Sequence, residues 1–183
     1  QNIYIYRDSR FDQIIDRYKK NKNLILLNET YKSSFNIVFG SYDKYDEPII
    51  FSSLKKTYPN GCKTLQELNQ RLIFVPHEVD SKTIKRSIKS LEGLSFEPEL
   101  FSKKNYNTNV LIIDKVGILA DIYKYAQLAY VGSGFNDGVH SVIAPAIYKC
   151  AVSFGPNIEL LNEAKYMNEN QIGIKIKNKN DMI

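Results

Sequence analysis

The sequence predicts an α/β domain in which a parallel sheet is flanked by helices. Short apolar runs rich in β-branched and aromatic residues alternate with segments of helical periodicity, which is the pattern of βαβ units. The apolar runs are nearly continuous, as expected for parallel strands buried on both faces. Because 183 residues is a usual length for one domain, we expect residues 1–183 to form a single domain.

The elements are predicted in chain order from these two patterns. Strands are expected at residues 37–39, 72–75, 110–113, 128–131, 151–154 and 172–176. Helices are expected at residues 11–19, 47–56, 82–91, 118–125, 142–148 and 159–167. The helix at 82–91 has the strongest signals, since Asp80 and Ser81 offer N-cap chemistry and Ile84, Ile88 and Leu91 recur at helical spacing.

Composition excludes several classes of protein. The chain is 43% hydrophobic with nine Gly and six Pro, which is typical of neither a disordered nor a collagen-like chain. No apolar run approaches the roughly 18 residues of a membrane span. Cys62 and Cys150 lie far apart without metal-ligand spacing, which fits a reducing cytosol. The net charge of +5, with clustered lysines, suits an anionic partner or a solvated surface.

Candidate functional residues follow the predicted strands. In open α/β sheets, ligands bind beyond the carboxyl ends of the strands. The segments at these positions are Gly40-Ser41, Pro76-His77-Glu78-Val79-Asp80, Asp114-Lys115-Val116-Gly117, the run 132–141 and Gly155-Pro156-Asn157. Five strand ends therefore converge on Gly, Ser, His and Asn.

Common motifs do not account for this convergence. Gly132-Ser133-Gly134 lacks the further glycine of a dinucleotide fingerprint, and no Gly-Lys-Ser/Thr phosphate loop is present. The only histidines, His77 and His140, have no further ligands at zinc spacing, so we expect no metal. Asp46-Glu47 is interpreted as a helix N-terminus that favours negative charge.

Taken together, the segments resemble one family. The chain is similar to the C-terminal domain of the 3-deoxy-D-manno-octulosonic acid (Kdo) transferases, and the resemblance runs nearly end to end. It is carried by Asp8-Ser9-Arg10-Phe11-Asp12, Gly40-Ser41, Asp46-Glu47, Leu72-Ile73-Phe74-Val75-Pro76-His77-Glu78, residues 114–119 with Tyr123, Ala129-Tyr130-Val131-Gly132-Ser133-Gly134-Phe135, Gly138-Val139-His140 and Phe154-Gly155-Pro156-Asn157.

The resemblance implies a fold and an activity. Members have the GT-B architecture of two Rossmann-like domains, and the C-terminal one binds the donor, CMP-Kdo. The chain is then the C-terminal half of a GT-B glycosyltransferase, a fragment with its N-terminal acceptor domain absent and its last helices truncated. The full enzyme is expected to transfer Kdo to a lipid A precursor in lipopolysaccharide biosynthesis, at the cytoplasmic face of the inner membrane.

The resemblance also implies three CMP-contacting segments, namely Pro76-His77, Val116-Gly117-Ile118 and Ser141-Val142-Ile143-Ala144. Gly40, Ser41, Ser133, Gly134 and His140 are secondary candidates in the donor loops. The family's general base lies in the absent domain, so no catalytic residue is assigned to this chain. No cofactor is expected, and the leaving phosphate is to be stabilised by backbone N–H groups and His77.

The chain departs from the family pattern at four positions. His77 stands where the family usually has Arg, Ile118 where it often has Glu, and Ser141 where it usually has Asn. Ala144 replaces a Glu that would accept hydrogen bonds from the ribose hydroxyls. Either Ser141 and the backbone hold the ribose, or donor binding is weak.

These departures keep other functions open. One alternative is a nucleotide-binding or assembly module that has the fold without the catalysis. A second is another GT-B enzyme that uses a UDP-sugar. Nucleic-acid binding is not expected, because the chain has no aromatic–basic recognition motif.

Overall fold

The computed structural model describes residues 8–104 and 106–182. Its strands are β1 (Phe35–Tyr42), β2 (Gln70–Pro76), β3 (Pro98–Leu100), β4 (Val110–Ile112), β5 (Leu128–Val131), β6 (Ala151–Phe154) and β7 (Gly173–Lys175). Its α-helices are α1 (Ser9–Lys20), α2 (Glu29–Lys32), α3 (Glu47–Thr57), α4 (Cys62–Glu67), α5 (Ser81–Glu92), α6 (Leu119–Ile122), α7 (Ile143–Ile147) and α8 (Asn162–Glu169).

The described strands form one seven-stranded sheet in the order β3-β4-β2-β1-β5-β6-β7. Every neighbouring pair is parallel, which confirms the predicted parallel α/β fold. From β1 the chain builds the sheet first toward β2 and β4, and then returns to add β5 on the other side of β1. The strand order therefore reverses between β1 and β5, and ligands of such sheets bind in the crevice at this switch point.

Both faces of the sheet are buried, as the continuous apolar runs predict. Along each central strand, successive residues belong to different hydrophobic clusters, since side chains alternate between the two faces. One cluster contains Val38, Ile73, Leu111 and Ala129, and the other contains Phe39, Phe74, Ile112 and Tyr130. Phe39 and Phe74 stack with their ring centroids 4.9 Å apart. The sheet is thus a rigid base for the loops at its carboxyl end.

Several predicted boundaries differ from the structure. β3, α2 and α4 were not predicted, because each has at most six residues and too few positions to show a period. The helix expected at 118–125 divides into α6 and a 3₁₀ turn at Tyr123–Tyr125. The last helix begins at Asn162, three residues after the predicted start. Among the described residues, no helix has the length and apolar character that crossing a bilayer requires.

Candidate functional site

The ends of β1 and β5 approach each other closely at the switch point. The pairing register of β1 shifts between Gly40 and Tyr42, and Ser41 in this bulge has a φ of 51°. A Cβ atom on Gly132, directly after β5, would lie 2.4 Å from the Cα atom of Tyr42. Glycine is therefore required at position 132 for the two loops to lie side by side.

A buried carboxylate joins these two loops. Asp46 is fully buried, and its Oδ1 accepts a hydrogen bond from the Tyr130 hydroxyl at 2.7 Å. Its Oδ2 accepts from the backbone N–H groups of Ser133 at 2.7 Å and Asp43 at 2.9 Å. Burial raises the pKa of Asp46, and these hydrogen bonds only partly offset that effect. Asp46 thereby fixes the loop after β5 to the loop after β1.

The predicted helix start at Asp46-Glu47 is confirmed, and both carboxylates have further partners. Both residues lie at the start of α3, as expected, but the Asp46 side chain makes no capping hydrogen bond to the helix. The Glu47 carboxylate instead accepts from Arg86 Nε on α5, at 2.9 and 3.0 Å. The pair therefore lies at a helix N-terminus and also connects neighbouring elements.

A first cleft opens beside the switch point, and we call it the α1 cleft. It has a volume of about 420 Å³ and is lined by Gln13, Ile14 and Arg17 of α1, with Ser41, Gly117, Leu119, Ala120, Tyr123, Val131, His140, Ser141 and Ala144. Residues of the second and third predicted segments, Gly117 and Ser141, therefore line the same cleft. Ala144 also reaches it, in the first turn of α7.

The side chains within these two segments have different positions. Gly117 has a φ of 83°, a conformation that favours glycine, whereas the neighbouring Val116 side chain is 74% exposed. Val142 is buried in one hydrophobic cluster and Ile143 is buried at the start of α7, and neither lines the α1 cleft. Ile118 is half-buried and packs against the core. Gly117, Ser141 and Ala144 are thus the members of these segments that face the cleft.

Helix α1 is anchored to Gly117 and Asp121, which follow β4 in the chain, by one cluster of polar side chains. Arg17 Nη2 donates to the Gly117 carbonyl oxygen at 2.5 Å and to Asp121 Oδ2 at 2.6 Å. Asn21 donates to Asp121 Oδ1 at 2.9 Å. Burial alone would raise the pKa of Asp121, but the hydrogen bonds from Arg17 and Asn21 outweigh it and lower that pKa. Sequence analysis did not assign α1 to the site, because Arg17 and Gly117 are 100 residues apart.

A second cleft lies on the other side of the switch point, and we call it the His77 cleft. It has a volume of about 520 Å³ and is lined by Tyr42, Asp43, Lys44, Tyr45, His77, Glu78, Asp80, Lys82, Thr83, Arg86, Ser133, Asn136, Asp137, Gly138 and His140. Pro76 is buried at the end of β2, and the His77 N–H donates to the Tyr42 carbonyl oxygen at 2.9 Å. The first predicted segment therefore belongs to this cleft and not to the α1 cleft.

The two histidines meet at the boundary between the clefts. The rings of His77 and His140 stack with centroids 4.6 Å apart, and His140 lines both clefts. His140 Nε2 lies 3.0 Å from Ser133 Oγ. Burial and the adjacent His77 lower the pKa of His140, so its imidazole is neutral near pH 7. In the described ranges, no three His, Cys, Asp or Glu side chains are placed to hold a metal ion.

The remaining secondary candidates serve close packing. A Cβ atom on Gly40 would lie 2.1 Å from the Tyr123 hydroxyl, and one on Gly134 would lie 2.6 Å from the Cα atom of Gly155. Ser133 is buried with a φ of 64°, where its N–H reaches Asp46. Gly40 and Gly134 shape the loops, whereas Ser133 lines the His77 cleft and Ser41 lines the α1 cleft.

Comparison with known proteins finds curated enzymes of similar sequence. The chain is 28% identical over 152 residues to a 3-deoxy-D-manno-octulosonic acid transferase of Aquifex aeolicus (strain VF5), a match that covers 80% of this chain and 39% of the relative. A transferase of the same name from Chlamydia muridarum (strain MoPn / Nigg) is 27% identical over 149 residues, covering 79% of this chain and 32% of the relative. The chain is a relative of the Kdo transferases.

A solved structure agrees with this relationship in its fold. The C-terminal CMP-Kdo binding domain of WaaA from Acinetobacter baumannii superposes with a TM-score of 0.68 at 15% identity, covering 93% of this chain and 83% of that domain. The predicted resemblance to the C-terminal domain of Kdo transferases, and the predicted Rossmann-like fold, are thus confirmed. No family model matches the chain. The chain spans 39% and 32% of the lengths of these two transferase relatives.

Proposed function

We propose that this chain is the donor-binding domain of a glycosyltransferase, with CMP-Kdo as the donor. The observation that carries the proposal is the α1 cleft, where two segments implied by the resemblance meet beside Ser41 at the switch point of the sheet. Gly117 and Ser141 are 24 residues apart along the chain, and the fold alone brings them to one cavity. We also propose that residues 1–183 form a single domain.

In this proposal, the α1 cleft binds the base and the ribose of the CMP part of the donor. Gly117 has no side chain and nothing within 4 Å of its Cβ position, so a ligand can approach the main chain there. Ser141 is exposed, and its Oγ accepts a weak hydrogen bond of 3.4 Å from the Ile143 N–H. The hydroxyl therefore remains able to donate to, or accept from, a ribose hydroxyl. Leu119, Ala120 and Tyr123 supply the apolar surface that a base requires.

The phosphate would lie at the boundary between the clefts, near His77 and His140. His77 is exposed and stands where the family usually has Arg, so it offers an N–H donor in place of a permanent cation. Donor binding is then weaker than in a relative with Arg, because a guanidinium can donate two parallel hydrogen bonds to one phosphate, whereas an imidazole ring cannot. His77 would stabilise the charge that develops on the leaving CMP phosphate.

We extend the proposal to the whole enzyme, which must also bind the acceptor. A lipid A precursor would be bound by an acceptor domain that also supplies the general base, at the cytoplasmic face of the inner membrane. This chain would hold the donor with the bond between Kdo and phosphate directed at that domain. We assign no catalytic residue and no cofactor to the chain itself.

Titration calorimetry of the 183-residue chain with CMP tests the proposal. We expect saturable binding of CMP, weaker binding of UMP, and a several-fold loss of CMP affinity in Ser141→Ala. Ser52→Ala is the matched control, because Ser52 is an exposed serine on α3 that lines neither cleft. Preference for UMP would favour the UDP-sugar alternative.

A second candidate function rests on Ser141 and Ala144. Without the ribose-binding carboxylate, the chain could retain the fold as a module that binds no nucleotide. Absence of CMP binding at millimolar concentration, in a sample that melts cooperatively, would support this alternative and contradict the donor-binding proposal.

A further inference from the structure

Helix α1 is attached to the domain differently from the other long helices. α3 and α5 each bury four of their residues, whereas α1 buries none. Ile14 and Tyr18 of α1 are only half-buried, and the Tyr18 ring meets the Tyr148 ring edge-on, with their centroids 5.1 Å apart. Because most of the stability of a helix in a protein comes from the packing of its apolar face, α1 should separate from the domain more readily than α3 or α5.

Polar contacts hold the two ends of α1. Near its start, Arg10 forms an ion pair of 2.8 Å with Glu163 of α8. Near its end, Arg17 binds the buried carboxylate of Asp121 at 2.6 Å and donates to the Gly117 carbonyl oxygen at 2.5 Å. A single side chain thus connects α1 both to α6 and to the turn at Gly117, and we call this set of contacts the Arg17 latch.

The connection that follows α1 can serve as a hinge. Residues 22–25 are all exposed, and Lys124 Nζ donates to the carbonyl oxygen of Leu24 in this segment. The chain is fixed again at Leu27, which is buried in the core and donates its N–H to the Tyr125 hydroxyl at 3.1 Å. A few exposed loop residues between two fixed elements can absorb the dihedral changes of a rigid-body helix movement.

A movement of α1 would open the α1 cleft, because Gln13, Ile14 and Arg17 form part of its wall. A nucleotide in the cleft contacts these side chains only while α1 is in place, so it favours the closed position over an open one. We infer that α1 is a gate of the α1 cleft, and that Arg17 is the positioning residue that holds the gate and the Gly117 turn in their ligand-binding arrangement. This inference rests on the proposed function.

Hydrogen exchange of the 183-residue chain with and without CMP, followed by mass spectrometry, tests the gate. A ligand that binds only the closed form lowers the open fraction about elevenfold when its concentration is ten times its Kd. With CMP at ten times the Kd found by calorimetry, the amides of residues 13–20 should therefore exchange about tenfold more slowly. The amides of residues 173–175 are the internal control, because β7 is an edge strand that lines neither cleft, and their exchange should not change.

Removal of the Arg17 latch gives a second, ligand-free measurement. In Arg17→Gln without CMP, the amides of residues 13–20 should exchange about tenfold faster than in the wild type. The affinity for CMP should fall several-fold, because the Gly117 turn loses its anchor and only the closed fraction binds.

The matched control for this variant is Lys19→Gln. It removes the same charge from the same helix, at an exposed residue that lines neither cleft and, within the described part of the chain, forms no ion pair. Both the exchange of α1 and the affinity for CMP should remain those of the wild type. Thermal melting should confirm that both variants fold.

The possible outcomes separate the two proposals. Failure of CMP to bind the wild-type chain would overturn the proposed function, and with it the gate. Normal CMP binding without slower exchange of residues 13–20 would overturn the gate alone. A loss of CMP affinity in Arg17→Gln with the ligand-free exchange of the wild type would make Arg17 a direct ligand contact, and would overturn its positioning role.

Discussion

Asp46 shows how one buried side chain determines the geometry of a site that it does not line. Its carboxylate satisfies the Ser133 N–H, the Asp43 N–H and the Tyr130 hydroxyl, and Ser133 in turn contacts His140 at 3.0 Å. The sequence places Asp46 at a helix start, but no local pattern shows that its partner lies 87 residues away. Such a contact follows only from the pairing of β1 with β5, so it could not be predicted from the segment itself.

Two substitutions at Asp46 separate the hydrogen bonds from the charge. Asp46→Ala leaves the Ser133 and Asp43 N–H groups without their acceptor, and each unsatisfied buried donor costs about 1–3 kcal/mol. We expect a loss of about 3 kcal/mol in the free energy of unfolding, measured by urea denaturation. Asp46→Asn should cost only about 1 kcal/mol, because its oxygen can still accept from both N–H groups and the Tyr130 hydroxyl can accept from its amide. Equal costs for the two variants would contradict this account.

The charge of Asp46 gives a pH-dependent difference between wild type and Asp46→Asn. Burial raises the folded-state pKa of Asp46 above its ordinary 3.8, so the folded chain holds this proton more tightly than the unfolded chain. Relative to Asp46→Asn, the wild type should therefore be most stable below pH 3.8 and should lose stability as the pH rises through the folded-state pKa. Urea denaturation of both proteins between pH 3 and pH 6 measures this difference. A wild type that gains stability over that range would show that the hydrogen bonds outweigh burial.

Restoring a carboxylate at position 144 should strengthen nucleotide binding. Ala144 lines the α1 cleft from the first turn of α7, and Arg17 lines the same cleft from α1. A carboxylate there would accept charge-assisted hydrogen bonds from ribose hydroxyls, each worth about 1.5–3 kcal/mol before the costs of desolvation and ordering. We expect Ala144→Glu to tighten CMP binding about tenfold, measured by titration calorimetry.

Two further variants control this measurement. Ala144→Gln has a similar shape without the charge and should give a smaller gain. Ala146→Glu adds the same charge on the exposed side of α7 and should leave the affinity unchanged. Unchanged or weaker binding in Ala144→Glu, with the Tm of the wild type, would mean that the ribose lies elsewhere and that the third segment is wrongly assigned.

Long elements with a clear pattern of buried residues were predicted from the sequence, whereas short or half-buried elements were missed. α5 was predicted within one residue at each end, because Asp80 caps it through the N–H groups of Lys82 and Thr83 and its apolar residues keep helical spacing. β3 was missed, because Pro98, Glu99 and Leu100 are only half-buried and resemble a loop. The cleft-forming role of α1 was also missed, since it depends on a contact between Arg17 and Asp121 104 residues apart. Local patterns thus predict the sheet and most helices, but not which loops share a cavity.

The backbone amides of the edge strand β7 should be less protected from hydrogen exchange than those of the inner strand β4. It lies at the edge of the sheet and pairs only with β6, and Ile174 in its centre is 60% exposed. β4 pairs with strands on both sides, and Val110, Leu111 and Ile112 are fully buried. Amide hydrogens of residues 173–175 should therefore exchange faster than those of β4 in native-state exchange with mass spectrometry. The Ile176 N–H, which donates to the Phe154 carbonyl oxygen at 2.8 Å, should be slower. Protection of β7 equal to that of β4 would contradict this.

At the scale of the whole molecule, folding and catalysis should be separable. Residues of both hydrophobic clusters come from the same four central strands, so disruption of one cluster also exposes the other. Such coupling favours a single cooperative unfolding transition. Transfer of Kdo, by contrast, also requires an acceptor hydroxyl held against the donor and a general base to remove its proton. The resemblance assigns both to an acceptor domain, and the chain spans 39% of the length of its Aquifex aeolicus relative.

We therefore expect the 183-residue chain to unfold in one transition, to bind CMP, and to transfer no Kdo from CMP-Kdo to a lipid A precursor. Coincident urea transitions followed by circular dichroism and by tyrosine fluorescence would measure the first property, and mass spectrometry of the lipid product the last. A full-length relative such as the Aquifex aeolicus transferase serves as the positive control for the lipid assay. Measurable turnover by the chain alone would place a general base within these residues. Separate transitions for the two probes would contradict a single transition, and with it the coupling inferred from the alternating side chains of β1, β2, β4 and β5.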